Sequence, residues 1–185
     1  MQGRLKKMNF IQKYNLKKRL NQFIELKKRG EIHVCSLEQA RCICVVYTFE
    51  SAELLEQLVK TIHSLRKEKD SVSLYCHIPK GKAVLTNNED EICFISEKDF
   101  NFIGLLCKEK FLSLQKQSFD ILINLNKNNS LFSLYLAGKI KAKFRVGRCE
   151  DAKDYCDVII YSSDENYTFE DYFRSVCEYT KKITC

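Results

Sequence analysis

The side chains in this 185-residue chain with the chemistry to hold a metal or attack a carbonyl are three histidines, ten cysteines and the acids. Their spacing decides which of them can act together. His33, His63 and His77 show no H-x-x-x-H or H-x-x-E pattern, and no cysteine forms C-x-x-C, so no preformed zinc site is expected. Cys42 and Cys44 lie two apart in a strand and share a face, but no second pair stands nearby. His77 follows Cys76 directly, and neighbouring strand residues point to opposite faces, so the two do not make a thiol–imidazole couple. Phosphate chemistry has no cradle either. The first strand runs into Thr48-Phe49-Glu50-Ser51 without a glycine, and the six glycines (3, 30, 81, 104, 138, 147) never cluster. That excludes the P-loop and the dinucleotide fingerprint, and no cofactor is expected.

Two groups of polar residues remain. Glu50 and Ser51 follow strand one, and Asn124 and Asn126 close strand four, where open α/β sheets place ligands. An amide is no general base near neutral pH, so the asparagines are hydrogen-bonders of a ligand, or they end a strand and cap a helix. No catalytic residue is assigned. The second group is a basic arm. Residues 1–30 carry ten Lys or Arg against the single acid Glu25, and the rest of the chain is slightly acidic, so the net +7 belongs to the arm. Lys6, Lys7, Lys13, Lys17, Lys18 and Arg19 are the candidates for contact with an acidic protein, an anionic membrane surface or RNA.

These residues need elements to position them. Residues 4–29 repeat apolar side chains at helical spacing (Leu5, Met8, Leu16, Leu20, Phe23), and Gly30 is a stop. Residues 42–49 (CICVVYTF), 72–78 and 91–96 read as strands one to three. A helix over 51–67 lies between the first two, and no clear helix joins the second to the third. A further helix is expected over 103–114. The stretch 118–147 then reads as one strand–helix–strand unit. Its helix begins at an Asn129 cap and stops at Gly138. Its second strand alternates Lys139, Lys141, Lys143 and Arg145 on one side with Ile140, Ala142, Phe144 and Val146 on the other, either a phosphate-binding ridge or a solvated face. A sixth strand over 157–161 and a last helix opened by Thr168 and Asp171 complete the chain.

Strands alternating with helices imply a three-layer, Rossmann-like α/β fold: a mainly parallel six-stranded sheet with a basic amphipathic N-terminal helix. The expected division is 1–30 as that helix and 31–185 as a single domain. No apolar stretch follows the N-terminal charges as in a secretory signal, and no run of about 18 apolar residues occurs. The chain therefore reads as cytoplasmic, with its cysteines reduced.

The unit Phe119-Asp120-Ile121-Leu122-Ile123-Asn124-Leu125, Ser130 to Ala137, and Ala142-Lys143-Phe144-Arg145-Val146-Gly147 resembles the FDLLIDL … AKFKVG pattern of an uncharacterised bacterial family of small Rossmann-like proteins. Asn101-Phe102-Ile103-Gly104 and the basic first helix sit where that family has similar features. That pattern often has Asp where this chain has Asn124, which argues against an acid catalyst there. More distantly, the unit is similar to one in the N-terminal half of heptosyltransferases. In those enzymes the sugar nucleotide is held mainly by the C-terminal half, so this resemblance implies a shared sheet topology without the donor site. The expected function is a non-catalytic binding module using the basic helix. The alternatives are a small enzyme or a nucleotide- or sugar-binding protein with its site at the ends of strands one and four, and an RNA-binding protein.

Overall fold

The computed structural model describes residues 10–29, 31–82, 92–162, 164 and 167–184. Six strands, β1 (Cys42–Thr48), β2 (Ser71–Ile78), β3 (Ile92–Ser96), β4 (Ser118–Asn124), β5 (Lys141–Gly147) and β6 (Val158–Ile159), form one sheet in the order β3-β2-β1-β4-β5-β6. Every pairing is parallel. The sequence explains why β1 and β4 sit at the centre. CICVVYT and the ILI of β4 are apolar on both faces, as a strand covered by helices on both sides requires.

Two apolar layers cover the sheet. On one face, α2 (Ala52–Arg66) lays down Leu55, Leu58, Val59 and Ile62, and α5 (Phe169–Thr184) lays down Phe169, Tyr172, Phe173 and Val176. On the other, α1 (Phe10–Arg29) contributes Leu16 and Leu20. There α3 (Lys108–Lys116) adds Leu114, and α4 (Leu131–Lys139) adds the run from Phe132 to Ala137, Ser133 excepted. The caps expected for the last helix are present: the Thr168 hydroxyl accepts from the Asp171 N–H at 3.2 Å, and the Asp171 carboxylate accepts from the Thr168 N–H at 3.2 Å.

Several local expectations need correction. The third helix starts at Lys108, five residues after the expected start. Asn101 Oδ1 accepts the N–H groups of Ile103 and Leu105, Gly104 has φ +80°, and Phe100 bridges Leu106, so this stretch is a tight turn. The cap of α4 is Ser130, one residue after the expected Asn129; its hydroxyl accepts from Ser133 N–H at 3.1 Å. Gly138 lies inside α4 and is not its stop. A Cβ there would meet the Phe23 ring at 3.3 Å, so the glycine lets α1 approach α4 closely. The expected basic alternation of the fifth strand holds only for Lys141 and Lys143. Lys139 ends α4, and Arg145 is buried. Its guanidinium donates to the carbonyls of Ala137 (2.5 Å) and Ile140 (2.6 Å), closing the open end of α4, with the Phe23 ring 4.9 Å away. The sixth strand shrinks from five residues to two. Residues 4–9, the connection after Lys82, Glu91 and Cys185 lie outside the described residues.

Candidate functional site

The direction of winding reverses between β1 and β4. Beyond the carboxyl ends of these strands lies the crevice where open α/β sheets hold ligands. Strand β1 ends at Thr48. Phe49 and Glu50 lead to Ser51, whose hydroxyl accepts from Leu54 N–H at 3.3 Å and caps α2. Glu50 is exposed, and its backbone carbonyl accepts from the Lys82 ammonium at 2.5 Å.

Strand β4 ends in two buried asparagines that interlock. Asn126 Oδ1 accepts the Thr48 backbone N–H at 2.6 Å, and Asn126 Nδ2 donates to Asn124 Oδ1 at 2.7 Å. Asn124 Nδ2 donates to Asn129 Oδ1 at 3.0 Å, and Asn129 Nδ2 donates to Cys149 Sγ at 2.9 Å. This relay of amides runs from the end of β1 to the segment after β5. It satisfies buried polar groups without a net charge and moves no proton. The structure thus brings Asn124 and Asn126 together and sets Ser51 at a helix cap, while Glu50 faces solvent.

Two groups at the strand ends acquire surroundings that the sequence does not reveal. Arg148, just after β5, is buried, with Nη2 donating to the Tyr167 carbonyl at 2.9 Å. Its guanidinium lies 5.4–5.8 Å from the rings of Tyr167, Phe169 and Tyr172. The Arg-aromatic contacts pin the chain before α5 onto the sheet. Its aromatic partners lie about 20 residues on, too far for a spacing pattern to reveal. His77, at the end of β2, is 2% exposed and neither ring nitrogen has a hydrogen-bond partner. Its ring stacks on Phe132 at 5.7 Å, and burial pushes its pKa down from 6.5 to about 4, so it is neutral at pH 7. Thr48, its register neighbour on β1, also has a buried hydroxyl without a partner. Cys76 points into the opposite core layer, as the alternation of a strand requires.

Three buried thiols are unreactive by environment. Burial raises the pKa of Cys76 and of Cys156 to about 12, and raises that of Cys44 further. The nine described cysteines are all free. Among the described residues no three His, Cys, Asp or Glu side chains cluster as a metal site, and no helix is long and apolar enough to cross a membrane.

Of the basic candidates, Lys6 and Lys7 lie outside the described residues. Lys13, Lys17 and Lys18 are exposed on α1, whereas Arg19 is half-buried. The outer face of α1 also carries large apolar side chains: Phe10 is 83% exposed, Tyr14 59% and Leu26 70%. An open depression of about 770 Å³ follows it, bordered by Tyr14, Lys17, Lys18 and Leu26 with Asn21, Gln22 and Glu25.

A family model described as a family of unknown function (DUF6913) matches residues 9–183. No curated protein and no solved structure matches the chain, and neither comparison supports the heptosyltransferase likeness.

Proposed function

The chain belongs to that family of unknown function, and from this premise we propose that it is a binding module which takes an acidic protein partner on the outer face of α1. One observation carries the reading: α1 has large apolar side chains on its outer face as well as on its inner one. Leu16 and Leu20 on the inner face are buried against the sheet, so they account for the helix's place in the fold. Phe10, Tyr14 and Leu26 on the outer face cover nothing among the described residues and stand beside Lys13, Lys17 and Lys18. Aromatic and apolar anchors ringed by cations are how a protein surface recognises an acidic, partly apolar segment. Asn21, Gln22 and Glu25 interrupt the cations, which favours a protein over a membrane or RNA backbone.

The test is affinity capture from native extract with the intact chain and with the double variant Lys17→Glu, Lys18→Glu, followed by rebinding of the purified partner. A partner retained by the intact chain, lost by the double variant and weakened by salt supports the reading. Equal binding by both proteins refutes it. Binding to anionic vesicles or RNA that exceeds binding to any protein moves the assignment to those partners.

A second reading is supported by the reversal of winding between β1 and β4. A small ligand at the strand ends would meet Glu50 and Ser51 first, with Asn124 and Asn126 beneath. A ligand carried through purification and located at these residues by crystallography would establish it; one lodged at the opposite end of the sheet would exclude it.

A further inference from the structure

A cavity of about 450 Å³ lies where the C-terminal turns of α1 and α4 meet the first residues of β4 and β5. Small-molecule sites commonly enclose roughly 300–1,000 Å³. Two kinds of side chain line it. The end of α1 and the connector after it supply Phe23, Leu26 and Ile32, and Ile32 is 58% exposed. The end of α4 and the start of β5 supply cations: Lys139, Lys141, Lys143 and the buried Arg145.

Some of these charges are already answered. Lys27, also on the lining, pairs with Asp157 at 2.8 Å, and Lys143 pairs with Asp120 at 2.7 Å. The carbonyl end of a helix repels an anion, but here Arg145 covers it by donating to the carbonyls of Ala137 and Ile140. Lys139 and Lys141 have no carboxylate in ion-pair contact among the described residues. Lys141 is exposed, and Lys139 is half-buried with its ammonium 5.7 Å from the centre of the Tyr135 ring. Burial is the main cause that holds this ammonium below its usual range. The other acid of the lining, Glu31, is exposed and joins none of the ion pairs.

We propose that this cavity binds an amphipathic organic anion, its carboxylate or phosphate head on Lys139 and Lys141 and its apolar body against Phe23, Leu26 and Ile32. The head brings a counter-charge to two cations that lack one, and charge-assisted hydrogen bonds hold it there. The body covers apolar surface that water now meets. A bare anion leaves the apolar side chains wet, and a neutral apolar molecule leaves the lysines unanswered, so both halves of the ligand are needed. The cavity is distinct from the surfaces described above. Lys17 and Lys18 take no part in it, and it lies at the starts of β4 and β5, away from Glu50, Asn124 and Asn126. Leu26 borders both this cavity and the outer face of α1, so the test leaves it unchanged.

The experiment titrates the full chain, labelled for NMR, with decanoate and with monodecyl phosphate at matched ionic strength. Decanol, acetate and inorganic phosphate are the controls. Saturable shifts at the amides of Ser118, Gly138 and Ala142 are expected with both amphipathic anions, and the tighter binder names the head group. The three controls should bind at least tenfold more weakly. Lys139→Gln and Lys141→Gln should each weaken binding about threefold at low salt, and about tenfold together. Ile32→Ala should weaken the two decyl anions and leave inorganic phosphate unaffected. Glu31→Gln should tighten binding, because it removes a like charge from the lining, and Lys17→Gln should change nothing. Decanol binding as well as decanoate, or acetate and inorganic phosphate binding as well as the decyl anions, would overturn the proposal. So would non-saturating shifts, shifts centred on Tyr14 and Lys17, full affinity in the double lysine variant, or weaker binding by Glu31→Gln.

Discussion

His77 must stay neutral for the sheet to stay packed. Its folded pKa of about 4 lies below its ordinary 6.5. Above pH 6.5 neither the folded nor the unfolded chain holds the proton, and the full stability is present. As the pH falls toward 4 the unfolded chain takes up a proton that the folded chain refuses, and about 3 kcal/mol is lost. His77→Leu fills similar space without unpaired nitrogens. It should be as stable as wild type or about 1 kcal/mol more stable at pH 7.5, and the gap should widen at pH 4.5. Urea unfolding of both proteins at the two pH values measures this; an equal acid loss in both would place the sensitivity elsewhere. Asn126 makes the opposite case, a polar group fully used. Asn126→Ala strands the Thr48 N–H and leaves Asn124 Oδ1 with the Asn126 backbone N–H as its one donor, so a loss of about 1–3 kcal/mol is expected by chemical denaturation. The asparagines themselves are legible in the sequence, because a strand end followed by a turn favours Asn. Their relay to Cys149 is not, because it joins residues 20 apart whose proximity only the sheet creates.

Elements are legible where one local period dominates. Strands β1 and β2 and helices α2 and α5 fall within about two residues of their sequence-based limits, since cap, apolar stripe and breaker agree. The misreadings come where tertiary packing uses a residue against its usual role. Gly138 has the look of a helix stop but serves as a seat for Phe23, and Arg145 follows the lysines in period but closes the end of α4. A graded substitution separates the two roles of Gly138. In Gly138→Ala the ring need shift only a few tenths of an ångström, and alanine favours the helix by about 1 kcal/mol, so stability should change little. Gly138→Leu should lift α1 and lower stability by several kcal/mol, because two buried leucines at roughly 1.5–3 kcal/mol each lose their cover. Thermal unfolding of the pair reads the difference; equal values would mean that α1 does not lie on that seat.

Across the whole molecule, both apolar layers contain a buried thiol. Cys44 and Cys76 lie on opposite faces of the sheet, and Cys156 stands outside both layers beside Gly147. Their raised pKa values and burial should make alkylation at pH 8 slow in the native state and fast in urea. Mass spectrometry after timed iodoacetamide treatment should show these three modified together, at the rate of global opening. Modification of one long before the others would show that its layer opens separately. The seating of α1 on α4 has a further bearing, on the time course of synthesis. About 100 residues separate the two helices, which at roughly 5–20 residues per second is some 5–20 s of translation. Leu16 and Leu20 leave the ribosome well before α4 and find their seat late. The β1–α2–β2 unit can pair while the rest is still being made, but its α1 side stays uncovered until α4 and β5 arrive. For a nascent chain of this design, α1 is made long before the helix that fastens it, and its apolar face is open to a chaperone in the interval.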